Sequence, residues 1–91
     1  MMPNFNRPPP TIRVLLIEDN KDDVVLVKHA FGESTNYAFQ IEHAIRLSRA
    51  IELLREFSFD VILCDLTLPD STGIETFHDL LAAASDVPIV I

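Results

Sequence analysis

Residues Val61–Phe77 read VILCDLTLPDSTGIETF. The run Val61–Cys64 is apolar without a break, as in a strand of a parallel sheet covered on both faces. Asp65 ends it. Leu66–Thr72 follows as a loop, with Asp70 as a turn former. Gly73 opens a helix in which Ile74, Phe77, Leu80 and Leu81 are expected to face inward. The segment is a strand, a loop and a helix, with a carboxylate where the strand stops.

The same pattern precedes it. Ile12–Ile17 (IRVLLI) is apolar almost throughout and stops abruptly at Glu18, Asp19 and Asn20. A helix is predicted over Lys21–Phe31, with Asn20 as its cap, Asp22 and Asp23 in its first turn, and Gly32 as its end. Phe39–Ala44 alternates and reads as an outer strand. Leu47, Ala50, Ile51, Leu54 and Phe57 recur at helical spacing and predict one apolar stripe on a second helix. Val87–Ile91 (VPIVI) opens a further strand, and the sequence ends inside it. Alternating strands and helices predict an α/β fold, a doubly wound parallel sheet with helices on both faces. The first helix carries Val24, Val25, Leu26, Val27, Ala30 and Phe31, apolar over more than one face. Such a helix is expected to have two neighbours, the sheet and something else.

Two of the buried strands run into acid: one into Glu18 and Asp19, the other into Asp65. All strands of a parallel sheet end at the same edge. If these two strands are adjacent, the three carboxylates converge in the crevice where open α/β sheets bind ligands. Converging carboxylates repel, and a hard divalent cation removes that cost. Magnesium suits such a set, because it takes a few carboxylate oxygens and keeps waters that a phosphate displaces. An aspartate beside such an ion can attack a phosphoryl group in line, with no Ser, Cys or His nucleophile.

Val61–Phe77 resembles the central signature of response-regulator receiver domains of two-component signalling: an apolar strand, an acceptor Asp, three residues, a Pro, and a Gly four residues later. Here these are Asp65, Pro69 and Gly73. The run Val14–Val27 (VLLIEDNKDDVVLV) resembles the family's first strand and acidic pair, and VPIVI resembles its fourth strand. The resemblance spans Ile12–Ile91 in order and spacing. It implies a flavodoxin-like, CheY-like fold with strand order 2-1-3-4-5. It implies that Asp65 is the phospho-acceptor, fed by a sensor histidine kinase or a phosphotransfer protein. Mg2+ would be bound by Asp19, by Glu18 directly or through water, by Asp65, and by the main-chain carbonyl of Thr67. Pro69 and Gly73 would shape the loop. The side chain of Thr67 occupies a position that tunes hydrolysis of the phosphate in the family. A receiver catalyses at most its own phosphorylation and dephosphorylation.

The family continues past its fourth strand through a Ser or Thr, a helix, a fifth strand ending near a Lys, and a last helix. The sequence is therefore expected to be a receiver lacking its final helix–strand–helix portion. Residues 1–11, with Pro3, Pro8, Pro9 and Pro10, form a flexible Pro-rich arm, and residues 12–91 the receiver. An edge at Val87–Ile91 and an uncovered side of the first helix at Val24 or Val25 predict self-association.

Composition agrees with a single small globule. The chain has 91 residues and is 48% hydrophobic, which argues for a packed core. A net charge of -7 argues against direct binding to nucleic acid or to an anionic membrane. Cys64 is the sole cysteine, so no internal disulfide forms, and a reducing cytoplasm is the expected compartment. Cys64 itself reads as a small buried apolar residue. His29, His43 and His78 lie on separate elements without ligand spacing and read as ordinary surface or core histidines. Two other functions use the same residues. One is a receiver-derived interaction or dimerisation module that is not phosphorylated. The other is a Mg-dependent phosphatase of haloacid-dehalogenase type, which the upstream Glu18–Asp19 pair fits less well.

Overall fold

The computed structural model describes residues 10–34, 36–64, 67, 68, 71–84 and 86–90. The order is β1 (Thr11–Ile17), α1 (Lys21–Gly32), β2 (Ala38–Ala44), α2 (Leu47–Glu56), β3 (Val61–Cys64), β4 (Thr67–Leu68), β5 (Ser71–Thr72), α3 (Gly73–Ala84) and β6 (Ile89–Val90). Four strands form a parallel sheet in the order β2-β1-β3-β6. This is the CheY-like α/β arrangement expected from the sequence.

The sheet's alternation decides which helix lies on which face. Leu15, Ile17, Ala44, Ile62 and Cys64 turn to one side. There they join Leu47, Ala50 and Leu53 of α2 and Leu80 and Ala84 of α3 in a single buried cluster. Val14 and Leu16 turn to the other side. In β2 their neighbours in register are Ile41 and His43, and Phe39 lies opposite Ile12 on that same face. The ring of Phe39 stacks on Phe31 of α1 with centroids 4.7 Å apart, which puts α1 on this face. Val24 is its buried contribution. Val25 and Leu26 are 65% and 67% exposed, so the second neighbour expected for α1 is not among the described residues.

β1 and β3 are pinned at their start as well as along their ladder. The Arg13 amide donates to the Asp60 carboxylate (2.8 Å), and the Asp60 amide donates to the Arg13 carbonyl (2.8 Å). These bonds come just before the first ladder pair, Val14 with Val61. The Arg13 guanidinium lies over the rings of Phe57 and Phe59, 5.6 and 5.4 Å from their centroids.

Several expectations need correction. Phe57 is not part of the α2 stripe. It follows the last helical residue in an extended conformation, half-exposed, and Leu53 takes its place in the core. In α3, Ile74 and Leu81 do not face inward, being 72% and 48% exposed. They lie seven residues apart and so share one stripe, whereas the buried Leu80 and Ala84 share another roughly 100° round the helix. The side chain of Phe77 lies outside the described residues. The segment read as a plain loop holds a short antiparallel ladder, Thr67 with Thr72 and Leu68 with Ser71. Gly32 does end α1, but as its last helical residue, one beyond the expected Phe31. β1 and β2 each begin one residue earlier than the pattern suggested, and the last strand begins two residues later, at Ile89, while Ile91 lies outside the described residues. The Pro-rich arm lies outside the described residues up to residue 9. Among the described residues no helix is long and apolar enough to cross a membrane.

Candidate functional site: the acidic edge of the sheet

β1 and β3 are adjacent, as the convergence of acids required. Their ladder ends with Ile17 opposite Cys64, so the two strands finish level. From there one strand continues into Glu18 and Asp19, and the other into Asp65. Asp65 itself, with Leu66, Pro69 and Asp70, lies outside the described residues. Thr67 is the first residue of β4, and Gly73 is the first residue of α3.

The local structure at Glu18 follows from its place one step beyond the strand. Its amide donates to the Ala44 carbonyl at 3.0 Å, which prolongs the β1–β2 ladder. Its carbonyl meets Nε2 of His43 at 2.7 Å. One of its carboxylate oxygens accepts the Asn20 amide at 3.1 Å, which closes a tight turn around Asp19. Glu18 is half-buried and Asp19 exposed. Asn20 then caps α1, its side-chain oxygen accepting the amides of Asp22 (2.9 Å) and Asp23 (3.2 Å). The N-terminal end of α1, with its partial positive charge, thus begins directly beside the acidic pair.

Oxygen donors at the open end of a parallel sheet are what a hard divalent cation takes. The described members, Glu18 and Asp19, fit such an ion in type and in place. Among the described residues no group of three or more His, Cys, Asp and Glu gathers as a metal site, and the expected third carboxylate is Asp65. The histidines divide. His29 pairs with Glu33 across one exposed helical turn at 3.0 Å, and His78 is exposed, both as ordinary surface residues. His43 is half-buried and touches the acidic turn, a role that its sequence spacing did not signal. Cys64 is buried, as expected.

Several cavities are lined by described residues alone. One of about 550 Å³ lies at the other end of the sheet, between the end of α1 and the start of β2, lined by Lys28, Phe31, Tyr37 and Phe39 among others. Of the acids, Glu18 and Asp19 follow directly on the last residue of β1, at the end of the sheet.

The response regulator receiver domain family matches residues 14–91. The chain belongs to this family. It is 39% identical over 70 residues to the autoinducer 2 sensor kinase/phosphatase LuxQ of Vibrio parahaemolyticus, a stretch that covers 77% of this chain and 8% of that protein. It is 30% identical over 80 residues to the cell cycle transcriptional regulator CtrA of Caulobacter vibrioides, covering 88% of this chain and 33% of that protein. The receiver described here therefore spans only a small part of these relatives. Among solved structures, the phosphorylated cyanobacterial phytochrome response regulator RcpA superposes with a TM-score of 0.75 at 26% identity, over 87% of this chain and 62% of that one. The MaeR response regulator bound to beryllium trifluoride gives a TM-score of 0.76 at 22% identity, over 87% and 64% of the two chains, a likeness of fold alone.

Proposed function

We propose that this receiver accepts a phosphoryl group on Asp65 from a sensor histidine kinase or phosphotransfer protein in a Mg2+-dependent reaction, and so controls a signalling output. The observation that carries the reading is the level ending of two adjacent strands, Ile17 opposite Cys64, each of which leads directly into acid. The phosphorylated state named for RcpA lends support by likeness.

In the proposed step an Asp65 carboxylate oxygen attacks phosphorus. The new P–O bond forms as the P–N bond to the donor's imidazole breaks, and the electron pair leaves with that nitrogen. Glu18, Asp19, Asp65 and the Thr67 carbonyl would hold Mg2+. When bound, the ion offsets negative charge on the phosphoryl oxygens. The turn around Asp19, closed by the Asn20 amide, keeps the acidic pair at the end of the sheet. Pro69 and Gly73 would shape the loop after Asp65, Gly73 as the start of α3. The soluble module would work in the cytoplasm.

Two experiments test this. Titration of the 91-residue chain with Mg2+ should move the amide resonances around Asp19 and Asp65, with Asp19→Asn binding at least several-fold more weakly. In a chain extended through the family's next helix, strand and Lys, acetyl phosphate should label Asp65 only with Mg2+ present. Labelling that persists unchanged in Asp65→Asn would place the acceptor elsewhere.

A further inference from the structure

The last rung between β1 and β2 is made by a side chain. The Glu18 amide reaches the Ala44 carbonyl in the ordinary way of a parallel ladder. The Glu18 carbonyl points toward β2 as well, where Arg46 already stands as the N-cap of α2 and regular pairing has stopped. His43 fills the gap. It sits in β2 opposite Leu16, on the α1 face, and its ring extends along the strand direction to bring Nε2 within 2.7 Å of the Glu18 oxygen. A carbonyl oxygen only accepts, so the hydrogen of this bond is on Nε2.

The bond acts on more than Glu18. The Glu18 carbonyl belongs to the peptide plane that links Glu18 to Asp19, and that plane is rigid. Fixing its oxygen fixes the direction in which the chain enters Asp19. On the other flank the Asn20 amide holds the Glu18 carboxylate at 3.1 Å. The Glu18–Asp19 turn is therefore held by an imidazole from the sheet and by an amide from the start of α1.

We infer that His43 is a positioning residue for the divalent cation: its Nε2–H sets the Glu18–Asp19 peptide plane and thereby the presentation of both carboxylates to the ion. This rests on the reading that Glu18 and Asp19 bind Mg2+. His43 is not itself a ligand, because the nitrogen turned toward the site is engaged with the carbonyl. Its part rests on Nε2 carrying the hydrogen.

The test uses Mg2+ as the probe and the isotopically labelled chain, with the amides of Asp19 and Asn20 as reporters. His43→Leu removes the donor and keeps bulk. His43→Gln returns an N–H at nearly the same reach. His43→Leu should raise the Mg2+ dissociation constant about fivefold, the worth of one ordinary hydrogen bond, and His43→Gln should restore it to within about twofold. Thermal melting, measured separately, shows whether either variant is merely less folded. A long-range proton–nitrogen spectrum of the wild type should show the hydrogen on Nε2, which keeps the inference testable if His43→Leu does not fold. Wild-type affinity in His43→Leu would overturn the inference while leaving the metal site intact. Equal weakening in Leu and Gln variants would overturn it too, by assigning the role to ring packing. A hydrogen found on Nδ1 alone would do the same. If wild-type Asp19 and Asn20 fail to respond to Mg2+ at all, the metal reading itself falls, and the inference with it.

Discussion

Replacing Ile62 by alanine should cost a large part of the stability of this fold. Ile62 is fully buried at the centre of β3, paired in register with Leu15 on one side and Ile89 on the other. It belongs to the cluster that joins the sheet to α2 and α3. Alanine removes three carbons, worth about 2.4 kcal/mol at roughly 0.8 kcal/mol per buried methylene. A cavity that the neighbours only partly fill adds to this, so about 3 kcal/mol is expected. A domain with about 80 folded residues has a total of roughly 4–12 kcal/mol. Ile62→Ala should then leave a visibly unfolded fraction at moderate denaturant, while Ile62→Val costs only about 1 kcal/mol. Urea unfolding followed by circular dichroism measures both, with an unchanged slope as the sign that the folded state is the same. If Ile62→Ala costs under about 1 kcal/mol and matches Ile62→Val, the central packing described for β3 is wrong.

Other changes probe the edges of the same structure. Asn20→Ala should destabilise by about 1 kcal/mol through loss of the α1 cap, whereas Asn20→Asp keeps the cap; equal melting temperatures for the two would refute the capping role. Asp60→Ala should cost about 0.5 kcal/mol by removing the acceptor for the Arg13 amide, and should speed hydrogen exchange at that amide first. Gly32→Ala should stabilise by about 0.5 kcal/mol, because Gly32 is helical and a methyl group there meets open space; a lower melting temperature would contradict this. Exposed Val25 and Leu26 should support weak self-association of the 91-residue chain, which Leu26→Glu should reduce in sedimentation at high concentration.

The sequence announced β1 and β3 well because they are the interior strands of the sheet, although Val61 and Leu63 on one face of β3 are only partly buried. IRVLLI and VILC are apolar without regard to period, and each is stopped by acid. Asn20 was equally plain, since a short polar side chain directly before a helix has one dominant use. The face of α3 was harder. GIETFHDLLAAA offers apolar residues on several sides, and hydrophobicity alone favours Ile74 and Leu81 over alanine. Packing chose Leu80 with Ala84, because a small side chain lets the helix approach closely. Phe57 misled because helical spacing continues past the residue where the helix stops, and its ring serves Arg13 instead. His43 could not be found from spacing at all. Its partner lies 25 residues away, and the contact exists only because β1 and β2 pair in one register.

β1 and β3 are the two interior strands of the sheet, each bonded to a neighbour on both sides. To slide or tilt either one would break two ladders at once, so these strands should be among the slowest parts of the molecule to open in hydrogen exchange. Glu18 and Asp19 thus follow directly on one of its stiffest parts. If the proposed phosphoryl transfer takes place beside them, its signal has no compliant strand to push against. It would have to be expressed in what surrounds them: the turn at Asp19, the short β4–β5 ladder, and the seating of helices whose outer faces meet water. The molecule behaves less like a hinge than like an anvil, with the motion left to whatever rests on it.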